Sequence, residues 1–121
     1  MCLHMTYDLI VIGAGPAGLT AGIYARTKMM STLVLDAGVV GGQLVSLYPE
    51  KGIHNYPGFE TIQARKLSDK LYAQAESMEC EIHEKEKVMD VDEGDQEIIV
   101  RTDKAEYTTK SVIVAIGMGM F

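Results

Sequence analysis

Residues 13–18 read Gly13-Ala14-Gly15-Pro16-Ala17-Gly18, a GxGxxG run whose flanks decide how it is read. Upstream, residues 6–13 (Thr-Tyr-Asp-Leu-Ile-Val-Ile-Gly) are nearly continuously apolar and rich in β-branched residues, the pattern of a strand buried on both faces at the centre of a parallel sheet. Downstream, residues 16–28 favour a helix, with Pro16 in its first turn and Gly18, Ala21, Gly22 and Ala25 forming a small-residue face suited to close packing on a strand. Ser31 to Asp36 is apolar again. The chain therefore begins strand, helix, strand, a βαβ unit with the glycine run on its first turn.

In that position each glycine has a reason. Gly13 permits a tight turn, Gly15 lets the backbone approach a pyrophosphate without a Cβ in the way, and Gly18 lets the helix lie against the strand. Pro16 and Ala17 open the helix, whose N-terminus offers free N–H groups and the positive end of its dipole to phosphates. Asp36 closes the second strand where a dinucleotide fold needs a carboxylate for a ribose hydroxyl. The plainer readings are that Gly18 serves packing alone and that Asp36 is a solvated strand end.

Beyond this unit, residues 37–60 carry five glycines and two prolines with little periodicity, a long loop for a small domain and hence a place to expect ligand contacts. Residues 61–79 place Ala64, Leu67, Leu71, Ala75 and Met78 at helical spacing, with Thr61 as a candidate cap. Segments 87–92, 97–102 and 105–109 read as a three-stranded antiparallel meander, punctuated by Glu93-Gly94-Asp95 and Asp103-Lys104. Ser111 to Ile116 returns to the pattern of a buried central strand and stops at Gly117. The expected architecture is one α/β domain over residues 1–121, a Rossmann-like central parallel sheet with helices and the meander.

Composition narrows the class. Eleven Lys and Arg against seventeen Asp and Glu give a net charge of −6, with no basic cluster to follow a phosphate backbone, so nucleic acid is not an expected partner. No segment has the length and apolarity of a membrane span, and residues 1–7 lack the basic-then-apolar order of a signal peptide. Cys2 and Cys80 are far apart and have no CxxC spacing, which fits a reducing cytoplasm.

The glycine turn serves NAD and FAD alike, since both present an ADP half. What separates them is the continuation: a plain NAD domain adds further βα units, whereas this chain inserts a glycine-rich loop, one helix and a meander before returning to the sheet. That layout, with Gly41-Gly42-Gln43-Leu44 in the loop and Val112-Ile113-Val114-Ala115-Ile116-Gly117 at the end, resembles the FAD domain of the thioredoxin reductase class over the whole chain. The run Leu47-Tyr48-Pro49-Glu50-Lys51, followed by Tyr56-Pro57-Gly58-Phe59, is most similar to ferredoxin (flavodoxin)–NADP reductases of the thioredoxin reductase-like type.

The resemblance implies that Gly13, Gly15, Pro16, Ala17 and Gly18 surround the pyrophosphate of FAD and that Asp36 meets the ADP ribose. It further implies Gly42, Gln43, Leu44 and Tyr48 on the flavin half, Val88 beside the adenine through its backbone, and Ala115, Gly117 and Phe121 reaching the cofactor at the end of the chain. Ile116 and Met118 depart from the Ala or Thr and the polar residue usual around that glycine. The implied activity is electron transfer from NADPH through FAD to ferredoxin or flavodoxin. A thioredoxin reductase with thioredoxin as acceptor and a noncatalytic nucleotide-binding module are the other readings. The chain is expected to be the N-terminal part of a longer, homodimeric reductase, without the NADPH domain and inactive by itself. No catalytic acid, base, nucleophile or metal site is expected. His54 reads as a loop surface residue, the Cys80-x-x-His83 spacing as an incomplete ligand set, Asp90, Asp92, Glu93 and Asp95 as a solvated turn, and the eight methionines as core filler.

Overall fold

The computed structural model describes residues 6–117, without the side chains of Gln43 and Leu44. After a two-residue strand β1 (Thr6–Tyr7), the apolar run forms β2 (Leu9–Ile12), which lies inside a four-stranded sheet of order β10-β2-β3-β6, all parallel. Its neighbours are β3 (Thr32–Leu35) and β10 (Val112–Val114), and β6 (Glu81–His83) flanks β3. Asp8 pins the lower end of β2: the Ser31 N–H donates to its Oδ2 at 2.9 Å and the Ser111 hydroxyl to its carbonyl oxygen at 2.6 Å.

Period-two alternation sends the β2 and β3 side chains into two cores. Leu9, Val11 and Val34 pack with helix α1 (Pro16–Thr27) and helix α3 (Ala64–Ser77). Ile10, Leu33 and Leu35 pack on the other face with Tyr7 and Val100 under the meander β7 (Val88–Glu93), β8 (Ile98–Thr102) and β9 (Glu106–Thr109). The meander is antiparallel as expected, and β1 extends it as a fourth, parallel strand on β9. The small face of α1 has the expected use: a Cβ at Gly22 would come within 3.3 Å of Val34 Cγ2 and 3.2 Å of Cys80 Sγ.

Several expectations need correction. The long loop is interrupted by a short helix α2 (Gly42–Leu47) and a strand β4 (Gly52–Ile53), which pairs antiparallel with β5 (Ile62–Gln63). Thr61 does not cap α3; Gln63 stands at the N-cap without a side-chain bond, and the Ala64 and Arg65 N–H groups donate to the carbonyls of Lys51 and Pro49. Strand β6 has no counterpart in the sequence reading, because three residues cannot display a period. Finally, β10 is not central among the described residues: it forms the sheet edge, with Ile113 42% and Val114 64% exposed. The methionines are not all core filler either, since Met29 and Met89 are largely exposed. Among the described residues, no helix is long and apolar enough to cross a membrane.

Candidate functional site

At the carboxyl ends of β2 and β3 lies a cavity of about 750 Å³. It is where a doubly wound sheet holds a ligand, beyond the strand ends and beside the first helix N-terminus. The turn that leaves β2 shapes its floor. Gly13 has φ +115°, and a Cβ there would overlap the Ala115 carbonyl oxygen; a Cβ on Gly18 would overlap the Gly13 carbonyl oxygen. These two glycines are required by the protein itself.

Gly15 is different. Its φ of −78° suits any residue, and a Cβ built on it meets no atom of the described residues within 4 Å. The space it would enter belongs to the cavity, which Gly15 lines. Gly15 is also the N-cap of α1 and offers no side chain to the first-turn N–H groups, while Pro16 behind it has no N–H to satisfy. The helix thus presents donors without a side-chain cap and its positive dipole end at the cavity, an arrangement suited to an anion.

Asp36 stands across the turn. Its Oδ2 accepts the Ala14 N–H and its Oδ1 the Gly38 N–H, both at 2.7 Å. Each carboxylate oxygen retains a second lone pair for a ligand hydroxyl. The Gly41 N–H donates to the Ala14 carbonyl at 2.9 Å, so the glycine-rich loop is sewn to the same turn. Gly42, at φ +59°, approaches Gly15 there, and Leu47 and Tyr48 follow along the wall. Lys51 Nζ lies 5.7 Å from the centre of the Tyr48 ring, within cation–π range.

Of the anticipated contact residues, Gly13, Gly15, Pro16, Asp36, Gly42, Tyr48, Val88, Ala115 and Gly117 line this one cavity. Ala17 and Gly18 do not; Gly18 shapes the turn from behind. The side chains of Gln43 and Leu44, and all of Phe121, lie outside the described residues. Sequence reasoning missed Gly38 and Val39, which continue the wall after Asp36, and Glu86 and Lys87, which precede Val88. Their position depends on β6 bringing the chain back beside β3, and no local pattern announces it.

The residues set aside in the sequence stay apart from the cavity. His54 Nδ1 is 3.0 Å from Thr61 Oγ1, and among the described residues no cluster of His, Cys, Asp or Glu has the arrangement to hold a metal ion. Burial pushes the Cys80 thiol upward against the opposing charge of Arg26, leaving an inert packing residue. Asp90 and Asp92 belong to β7 rather than to a turn, and both face Arg101, at 2.7 and 3.7 Å.

The chain matches the family described as pyridine nucleotide-disulphide oxidoreductase over residues 7–120. It is 36% identical over 120 residues to a ferredoxin–NADP reductase of Streptococcus pneumoniae (strain Hungary19A-6), covering 98% of this chain and 37% of the relative. Among solved structures, thioredoxin reductase from Lactococcus lactis superposes with a TM-score of 0.81 at 37% identity, over 90% of this chain and 35% of that one. Thioredoxin reductase from Streptococcus pyogenes MGAS5005 gives 0.82 at 32% identity, over 93% and 35%. The sequence spans little more than a third of these relatives, and within that span both the fold and the family agree: the chain belongs to the pyridine nucleotide-disulphide oxidoreductases.

Proposed function

We propose that the chain binds FAD, with the pyrophosphate over Gly15 at the N-terminus of α1 and the ADP ribose on Asp36. The observation that supports this most is Gly15 itself, whose missing side chain is demanded by neither its φ nor any neighbour among the described residues and leaves open space on the cavity side. The donor set fits the group: uncapped helix N–H groups for the phosphates, a carboxylate for the ribose, and Ile12, Leu35, Val88 and Ile116 as apolar walls that exclude water. Bound flavin supplies hydride and electron transfer, and the protein binds and orients it. Tyr48, held by the turn that caps α3, would cover the flavin half.

Within a longer enzyme, this site would pass electrons from NADPH to ferredoxin or flavodoxin. The run Leu47 to Lys51 and the similarity to the streptococcal ferredoxin–NADP reductase favour that acceptor. Thioredoxin is the second reading, favoured by the names of the solved structures. Homodimerisation belongs to the same proposal, supported by the exposed apolar edge at Ile113 and Val114; light scattering that shows only monomer would reject it.

The test is titration of the chain with FAD, followed by flavin fluorescence and absorbance, with NAD as competitor. FAD binding that NAD does not displace supports the proposal. Preference for NAD, or binding of neither, overturns it.

A further inference from the structure

An extended polar cluster among the described residues is centred on Glu86, at the cavity wall. Glu86 is 4% exposed, yet each oxygen of its carboxylate has a partner. Oε2 accepts the hydroxyls of Thr102 and Tyr107, both at 2.7 Å, and Oε1 lies 3.0 Å from His83 Nδ1. His83 continues the chain: its Nε2 is 2.8 Å from Glu81 Oε2, and Glu81 Oε1 accepts the Tyr7 hydroxyl at 2.7 Å. Tyr107 also lies 3.3 Å from His83 Nδ1, and the Tyr7 and Tyr107 rings meet edge to face. A buried carboxylate with three partners from β6, β8 and β9 fixes the backbone that carries it, because leaving any of those groups unpaired is costly.

That backbone is laced to the ligand wall. The Asp36 N–H donates to the His83 carbonyl at 3.0 Å, the Glu86 N–H to the Asp36 carbonyl at 2.8 Å and the Lys85 N–H to the Gly38 carbonyl at 2.8 Å. The Val40 N–H donates to Glu84 Oε2 at 2.6 Å. Residues 36–40 therefore hang on residues 83–86, and residues 83–86 hang on Glu86. Glu86, Lys87 and Val88 themselves line the cavity beside Asp36 to Val39.

We propose that Glu86, held by His83, Thr102 and Tyr107, is a positioning residue for the adenosine end of a bound dinucleotide, acting through the backbone of Asp36 to Val40. This rests on the dinucleotide reading above, which puts the ribose on Asp36. The cluster joins the meander to the parallel sheet at the point where the adenosine wall is built, so wall geometry and meander docking are set by one carboxylate.

The test compares wild type with Glu86→Gln and, as a milder change that keeps the carboxylate, Tyr107→Phe. Calorimetric titration with ADP and with FAD is made at a temperature where each variant is folded, alongside amide NMR spectra of the ligand-free proteins. Glu86→Gln is expected to weaken ADP and FAD by the same factor, on the order of tenfold, with Tyr107→Phe in the same direction and smaller. The amide signals of Asp36, Gly38 and Val40 are expected to move in both variants. A residue that only stabilises the fold would lower the unfolding midpoint and leave affinity and those amides in place, and that result overturns the inference. Loss of FAD binding with ADP unchanged overturns it as well. If wild type binds neither ligand, the dinucleotide reading fails, and unmoved amides at 36–40 would still refute the positioning role on their own.

Discussion

The Ala14 N–H donates to Asp36 Oδ2 at 2.7 Å, tying the glycine turn after β2 to the end of β3. The same carboxylate receives the Gly38 N–H. Asp36 is thus a latch between two walls of the cavity as well as a proposed ribose ligand. Asp36→Ala leaves two backbone donors without their acceptor, and a charge-assisted hydrogen bond contributes about 1.5–3 kcal/mol. The expected outcome is a loss of about 2 kcal/mol by urea unfolding, together with a fall of at least about tenfold in FAD affinity by fluorescence titration. Unchanged affinity with reduced stability would leave Asp36 a latch alone.

The three glycines of the turn separate stability from binding. Gly15→Val places its Cβ clear of the described residues at an allowed φ, so unfolding free energy should fall by only about 1 kcal/mol, the usual scale of an N-cap substitution. FAD retention should be abolished. Gly13→Ala and Gly18→Ala instead drive a Cβ into backbone carbonyls, and overpacking of that kind costs about 3 kcal/mol. Thermal melts and flavin titration of the three variants measure both quantities. FAD retained at wild-type affinity by Gly15→Val would remove the pyrophosphate from this turn.

How much of this was readable in the sequence follows from where the signal lies. The glycine turn, β2, α1 and β3 are encoded within some thirty consecutive residues, each with a local cause, so strand, turn, helix and acid appear where the pattern places them. The core face of α3 was legible from Ala64, Leu67, Leu71 and Ala75, all buried. Strand β6 was not legible, because Glu81-Ile82-His83 pairs with Leu33 to Leu35, far away in sequence, and carries no period of its own. With β6 unseen, nothing in the sequence sets Glu86 apart from the other acids of the chain. The apolar run of β10 was read correctly as strand and wrongly as central, since apolarity reports the burial a strand requires and cannot say which element supplies it.

Glu86 gives the protein an acid limit. Burial raises its pKa, but hydrogen bonds from Thr102, Tyr107 and His83 outweigh burial and hold the carboxyl below its ordinary value. A group with a depressed folded-state pKa contributes stability that is present above its unfolded value and lost as pH falls through the folded one. The contribution should therefore be intact at pH 7 and decline once pH drops below about 4.3, the free glutamate value. Urea midpoints at pH 7, 5 and 3.5 should converge between wild type and Glu86→Gln as pH falls. Parallel curves would show that Glu86 is not the titrating group.

Glu79 offers a gain in stability. It follows the C-cap Met78 of α3 with φ +66°, the left-handed conformation that favours glycine, and its N–H donates to the Glu76 carbonyl at 2.9 Å. Its side chain is 85% exposed and only 3.7 Å from Arg26, a surface pair of little worth. Arg26 is held independently, donating to the Met78 and Met30 carbonyls at 2.8 and 3.0 Å. Glu79→Gly removes the Cβ that opposes the left-handed turn, at the cost of a more flexible unfolded chain. Because a left-handed L-residue costs about 1–2 kcal/mol, relief should exceed that entropy and leave a net gain of about 0.5 kcal/mol. A modest rise in unfolding midpoint with unchanged FAD affinity is the expected result. A fall would mean that Glu79 and Arg26 hold the α1 and α3 ends together more firmly than an exposed pair should.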